Sequence, residues 1–333
     1  MKTIEEQIFD QVQNIPDKVA LISGNTEITY SQLWDYCLCA AEKLKQDYHL
    51  KKGDRVILSA AGNIEFVYAY FGVHIAGGIC VPIDPDTNQT RFEYIEKSTT
   101  PVCVMGLLHN VKKETIPFTD VVNGTSKATY IAPEQSQVAD ILFTTGTTGA
   151  PKGVALSYNN LSAAARNINA FIGNTSSDVE LLALPVSHSF GLGRLRCSLS
   201  KGATVVMLGT FANVKKFFKE MARCQVTMFA MVPASWGFIK KMSGKYIGKF
   251  ADQLKFIEIG SSFMPVEDKE LLMSLLPKTR ICMHYGSTEA SRSAFMEFHT
   301  YKDNLLSIGK ASPNVEIKIF TSHGTPAALG EEG

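Results

Sequence analysis

Metal-site or disulfide cysteine spacings, long unbroken apolar runs and an excess of charge of one sign are all missing from this sequence. Each lack removes a class of function. The seven cysteines (Cys37, Cys39, Cys80, Cys103, Cys197, Cys224 and Cys282) are odd in number and scattered. Most lie in apolar runs, so they read as buried reduced thiols rather than zinc ligands or disulfide partners. Lysine and arginine together number 33 against 32 acids, a balance that leaves no electrostatic footprint for nucleic acid or an anionic membrane. The longest apolar stretch, Phe66 to Ile83, is interrupted by Gly72, His74, Gly77 and Gly78, so no integral membrane segment is expected. The opening MKTIEEQIFDQVQNIPDK carries acids and no export-type apolar core, and the expected location is cytoplasmic. Internal repeats, low-complexity tracts and a proline-rich linker are also missing.

What remains is an ordinary soluble composition in 333 residues, enough for two domains or one large layered one and too long for a disulfide-stapled miniprotein. Leu33, Cys37, Ala40, Ala41 and Leu44 recur at helical spacing, with Thr29 and Gln32 placed as a capping box. Arg55 to Ser59 is short and β-branched, and a helical stretch from Glu65 to Ala76 follows it. The alternation continues with strands expected at 79–83, 102–105, 141–143, 181–184, 204–208, 226–230, 256–259 and 280–283. Helices are expected near 90–98, 157–171, 213–223, 233–242 and 265–275. Continuously apolar strands separated by helices indicate an α/β fold of parallel sheets covered on both faces. Eight or nine strands are many for one sheet, so two linked, mostly parallel sheets flanked by helices are expected, with Gly173 to Asp178 as a crossing between layers. From Asn314 to Phe320, Val315, Ile317 and Ile319 alternate with Glu316 and Lys318, the pattern of a half-buried antiparallel strand. The chain stops soon after at Gly330-Glu-Glu-Gly333, and this strand reads as the start of a small distorted β-barrel whose other strands are missing.

The segment ILFTTGTTGAPKGV (141–154) carries the chemistry. A strand ending at Thr144 delivers glycines to the carboxyl edge of a sheet, where ligands of open α/β folds bind. Glycine lets backbone N–H groups approach an anion, threonine hydroxyls add donors, and Lys152 supplies a point charge for phosphate oxygens. The nucleoside-triphosphatase P-loop fails here, because Pro151 and Gly153 flank the lysine where glycine and a Ser or Thr belong. A magnesium ion would therefore be held from elsewhere. The bland reading is a flexible turn before a helix near Ser157.

The stretch resembles the T-[ST]-G-[ST]-T-G-x-P-K-G signature of adenylate-forming enzymes, the acyl-CoA and aryl-CoA synthetases, luciferase-like proteins and peptide-synthetase adenylation domains. Thr145 stands where serine is usual. Later segments follow in order: Leu184-Pro185 to His188 and on to Gly191-Leu192 is similar to P-x-x-H-x-x-G-L, Gly260-Ser261-Ser262 to the turn along adenine, and Tyr285-Gly286-Ser287-Thr288-Glu289 to Y-G-x-T-E. Ile28-Thr-Tyr30, Lys52 to Val56 and Ala76 to Pro85 look like the family's N-terminal segments, so the resemblance runs from about Ile15 to Gly333.

The resemblance implies ATP or AMP, Mg²⁺ and a thiol acceptor, either CoA or phosphopantetheine on a carrier protein. Thr144, Lys152, His188 and Glu289 would be catalytic, with Thr144 and Glu289 toward the metal. Thr145, Gly146, Thr147, Thr148, Gly149, Lys152, Gly260, Ser261, Ser262, His284, Tyr285, Gly286, Ser287, Thr288 and Glu289 would bind the nucleotide. Tyr285 would offer its face to the purine, Thr288 a hydroxyl to the α-phosphate, and His188 would border the acid.

Residues 1–333 would form the family's large N-terminal domain, with one layer set from 1–52 and 178–300, another from 53–177, and the partial barrel at 301–333. The family's remaining barrel strands, ribose-binding aspartate and small lysine-bearing domain find no match, and Lys302, Asp303 and Lys310 are not substitutes. Low activity is expected of such a piece alone. The Ser187 to Phe190 segment lacks the aspartate that pairs with an amino acid's ammonium, so a fatty or aryl acid is expected. An amino-acid adenylation domain and a non-catalytic nucleotide-binding module remain as alternatives. Arg194 and Arg196 interrupt an otherwise apolar helix and read as a solvated face, with pairing to an anionic substrate, CoA or carrier protein as the alternative.

Overall fold

The computed structural model describes residues 1–144 and 151–333. The chain opens with α1 (Ile4–Asn14), the hairpin strands β1 (Val19–Ser23) and β2 (Thr26–Thr29), and α2 (Tyr30–Gln46). It continues through β3 (Arg55–Ser59), α3 (Ile64–Ile75), β4 (Ile79–Ile83), α4 (Gln89–Thr99), β5 (Cys103–Met105), α5 (Phe118–Val122), β6 (Val138–Thr144) and β7 (Lys152–Ser157). The second half runs α6 (Tyr158–Ile172), β8 (Val179–Leu182), α7 (Ser189–Ser200), β9 (Thr204–Met207), α8 (Val214–Arg223), β10 (Met228–Met231) and α9 (Pro233–Ser243). It ends with β11 (Phe256–Ile259), α10 (Val266–Leu275), β12 (Arg280–Tyr285), β13 (Ala294–Glu297) and β14 (Lys310–Ala311).

Local signals set these boundaries. Thr29 and Gln32 form the expected capping box on α2, and Ser157 with Asn160 forms another that ends β7 and starts α6 in a single residue step. Gly173, at φ +79°, closes α6 in the left-handed region. The chain then passes from the sheet containing β7 to the one containing β8 through the 173–178 segment.

The strands form two sheets. One has nine strands in the order β14-β13-β12-β11-β10-β8-β9-β1-β2, and the other five in the order β5-β3-β4-β6-β7. Neighbours are parallel through the middle of both, while β2, β7, β13 and β14 join antiparallel at the edges. Parallel strands need both faces covered, which explains the fully buried runs of β4, β9, β10 and β11. In α3 every residue from Phe66 to Ile75 is buried, the all-round apolar character of a central helix. Its Gly72 lies so close to Ala40 of α2 that an added Cβ would come within 2.6 Å of the alanine methyl. All seven cysteines are unbridged and none is exposed. Among the described residues no helix is long and apolar enough to cross a membrane.

Two expectations fail. Asn314 to Phe320 forms no strand, and Ile317, Ile319 and Phe320 are exposed, so the expected start of a β-barrel does not form. The alternating pattern is present, but among the described residues no strand lies beside it to take its hydrogen bonds; only a single bridge joins Phe320 to Pro326. In addition, Lys152 does not sit in a turn leading to a helix. It begins β7, which pairs antiparallel with β6.

Candidate active site

The motif segments occupy the ends of strands. Thr144 closes β6 and faces Lys152 across the ladder; Thr144 is half-buried and Lys152 exposed. Thr145, Gly146, Thr147, Thr148 and Gly149 lie outside the described residues. Gly260-Ser261-Ser262 follows β11, and Tyr285 ends β12 before the turn to β13. These are the carboxyl ends of adjacent parallel strands, where open α/β sheets place ligands.

Three cavities surround these ends. The first, of about 370 Å³, is walled by Ser261, Ser262, His284, Tyr285 and Gly286 together with Leu306 and Ile308. Tyr285 is 58% exposed, leaving a ring face free for an aromatic ligand. Gly260 makes this wall possible, since a Cβ there would fall inside the His284 imidazole. Gly286 is equally constrained, with an added Cβ 2.5 Å from the Arg292 backbone nitrogen.

The second cavity, of about 330 Å³, is bounded by Thr288, Glu289 and Arg292 on the β12–β13 turn, by β7 and α6, and by Ser189, Gly193 and Arg196 of α7. Thr288 Oγ1 lies 3.4 Å from Ser189 Oγ, and Ser287 ties its own turn through its backbone N–H to Ala290 O. Glu289 is exposed and takes no hydrogen bond or ion pair among the described residues. A hard, uncommitted carboxylate of this kind fits a divalent cation. His188 does not join this group. It is exposed at the N-terminus of α7 and faces a third cavity, of about 460 Å³, with Asp84, Asp86, Arg91 and Phe143. The buried aromatic beside it, Phe190, stacks edge-on against His284 with centroids 4.5 Å apart.

Behind the sheet edge lies a charge cluster that motif reading missed. Glu258, fully buried on β11, lies 3.0 Å from Arg292 Nε and 3.3 Å from Arg194 Nη1. His284 Nδ1 is 2.8 Å away without an in-line hydrogen bond. Burial pushes the Glu258 pKa up, but Arg292, His284 and Arg194 outweigh it and hold the carboxyl far below its usual range. Burial dominates at His284 and lowers its pKa. Arg194 is also clamped by Glu180 of β8, whose pKa burial raises.

Arg196 turns to the other sheet. Its Nη1 donates to Asp140 Oδ2 at 2.6 Å and to the Tyr70 hydroxyl at 3.0 Å. Asp140 also meets His74 at 3.1 Å, and His74 meets Glu5 at 2.7 Å. The solvated reading of Arg194 and Arg196 is therefore wrong: they are 0% and 6% exposed. The signal was present, because Asp140, Glu180 and Glu258 each stand as a lone acid in an apolar strand, and lone buried acids need cations.

Nucleotide sites at sheet edges are common to many α/β folds, and likeness to known proteins narrows the class. The chain belongs to the AMP-binding enzyme family, which it matches over residues 8–333. It is 28% identical over 362 residues to the mitochondrial malonate–CoA ligase ACSF3 of Mus musculus, covering 98% of this chain and 62% of that protein. It is 27% identical over 341 residues to the 2-succinylbenzoate–CoA ligase of Bacillus velezensis, covering 98% of this chain and 67% of that one. The chain thus spans about three fifths to two thirds of these relatives. In fold it is similar to the N-terminal subdomain of Klebsiella oxytoca NpsA in complex with 3-hydroxyanthranilyl-AMSN, at TM-score 0.87 and 19% identity, covering 99% of this chain and 85% of that one.

Proposed function

We propose that this chain supplies the nucleotide- and acid-binding body of an AMP-forming acid–thiol ligase. The observation that carries the reading is the grouping of Tyr285, Thr288 and Glu289 on one β12–β13 turn, between a cavity with a free aromatic face and a cavity with an apolar wall. A purine beside Tyr285 and an acid in the second cavity would meet at Thr288. The acid carboxylate then attacks the α-phosphorus, a new C–O–P bond forms, and the bond to the β-phosphate breaks as pyrophosphate leaves. Positioning and charge stabilisation drive such a step, so no protein nucleophile is required.

In this reading Lys152 and the preceding threonines and glycines hold the β- and γ-phosphates, and Thr288 holds the α-phosphate. Glu289, with Thr144, would hold magnesium, which when bound neutralises charge on the departing pyrophosphate. Thioesterification to CoA or to a carrier-protein phosphopantetheine follows, as the names of the CoA-ligase relatives suggest. Amino acids fit poorly. The Ser187 to Phe190 segment carries no carboxylate to pair with their ammonium, and the buried acid Glu258 is already committed to Arg194 and Arg292. The test is pyrophosphate exchange into ATP with amino acids and carboxylic acids screened in parallel. Exchange driven by carboxylic acids supports the reading; exchange driven only by amino acids overturns it.

A further inference from the structure

One buried charge stays half used. Arg196 engages Asp140 and Tyr70 through Nη1 alone, and its Nε and Nη2 meet no acceptor among the described residues. The residue is 6% exposed and forms part of the wall of the 330 Å³ cavity. Neither atom is sealed from solvent, so the Nε–Nη2 edge opens on the cavity with its donors available to a ligand. That edge is also the fork that fits a carboxylate with two parallel bonds.

The position of Arg196 relative to the reacting end matters as much as its chemistry. Ser189, Gly193 and Arg196 are spaced by four and three residues, so they share one face of α7. Seven residues advance about 10 Å along a helix, and the arginine stem leans back toward Ser189, shortening that span. Ser189 is the residue whose hydroxyl meets Thr288. The same cavity takes apolar lining from Leu156, Ala164 and Ile168. Gly193 keeps the face low, since a Cβ there would come within 2.6 Å of Arg292 Nη1.

Resting on the adenylation reading, we propose that this cavity binds the acid with its far end against Arg196, and that the far end is a second carboxylate. The substrate class is a short dicarboxylic acid of about four to six carbons, the length that fits between Ser189 and the guanidinium. A fatty acid would press methyl groups against the open fork and leave it unsatisfied.

Calorimetric titrations in the presence of ATP compare chain-matched pairs: succinate with butyrate, glutarate with pentanoate, adipate with hexanoate. The diacid of at least one pair is expected to bind at least about tenfold more tightly. In Arg196→Met that ratio falls to about one, and Arg196→Lys retains part of it, with ATP affinity and circular dichroism reporting the fold. If Arg196→Met does not fold, the wild-type pairs still decide the matter. Equal or weaker diacid binding, or no acid binding while ATP binds, overturns the dicarboxylate assignment. No ATP binding at all overturns the adenylation reading instead.

Discussion

Thr144 and Lys152 face each other on the last rung of the β6–β7 ladder. The lysine is thereby fixed by strand pairing at the end of the ladder. In the proposed reading, a cation placed this way acts on the outer phosphates and not on the nucleoside. Lys152→Met should therefore weaken ATP binding by about tenfold or more and leave AMP binding nearly unchanged. Titrations with the two nucleotides check this, and equal losses for both would contradict it.

Glu289 is the exposed carboxylate of the second cavity. Glu289→Ala should abolish the gain in ATP affinity that magnesium gives the parent chain, while affinity in EDTA stays the same. A magnesium response of undiminished size would remove Glu289 from the metal.

Gly260 lies against the His284 ring with no room for a methyl group. Gly260→Ala should lower unfolding stability by about 1 to 3 kcal/mol through overpacking and weaken nucleotide binding by displacing His284 into the cavity. Denaturant melts and nucleotide titration measure the two effects.

Glu258 faces Arg194, Arg292 and His284, with Glu180 across Arg194. Its pKa is depressed in the fold, so its stabilisation is fully present above the unfolded value near 4.5 and is lost as pH falls toward the folded value. His284, also depressed, adds a loss that begins below about 6.5. Stability should fall on acidification from pH 6.5, more steeply below 4.5. Glu258→Gln should cost about 3 to 5 kcal/mol at neutral pH and flatten the lower part of the profile. Chemical melts from pH 3 to 8 give both quantities.

Much of this architecture is written in local sequence. Continuously apolar strands such as Ile79 to Ile83, the Thr29–Gln32 box and the spacing of Leu33 to Leu44 specify elements within a few residues of where they form. β7 was missed because KGVALS is short, glycine-bearing and mostly outward-facing, so it carries no strand pattern until β6 lies beside it. Asn314 to Phe320 is the reverse case: the pattern is there and the partner is not. The arginines of α7 show a third limit. Their acids lie 14, 64 and 56 positions away, and only the packing of α7 between the two sheets brings them together. The grouping of Tyr285, Thr288 and Glu289 was legible because these residues sit together at one strand end and turn. The second cavity was not, because α6, β7, α7 and the β12–β13 turn each contribute part of it.

The most direct test of the central claim is binding of an acyl-sulfamoyl adenosine, a stable mimic of the acyl-adenylate, to this chain. The account predicts that it binds at least about a hundredfold more tightly than AMP or the free acid, because nucleotide and acid sites meet at Thr288. Affinity no better than that of AMP alone would contradict it.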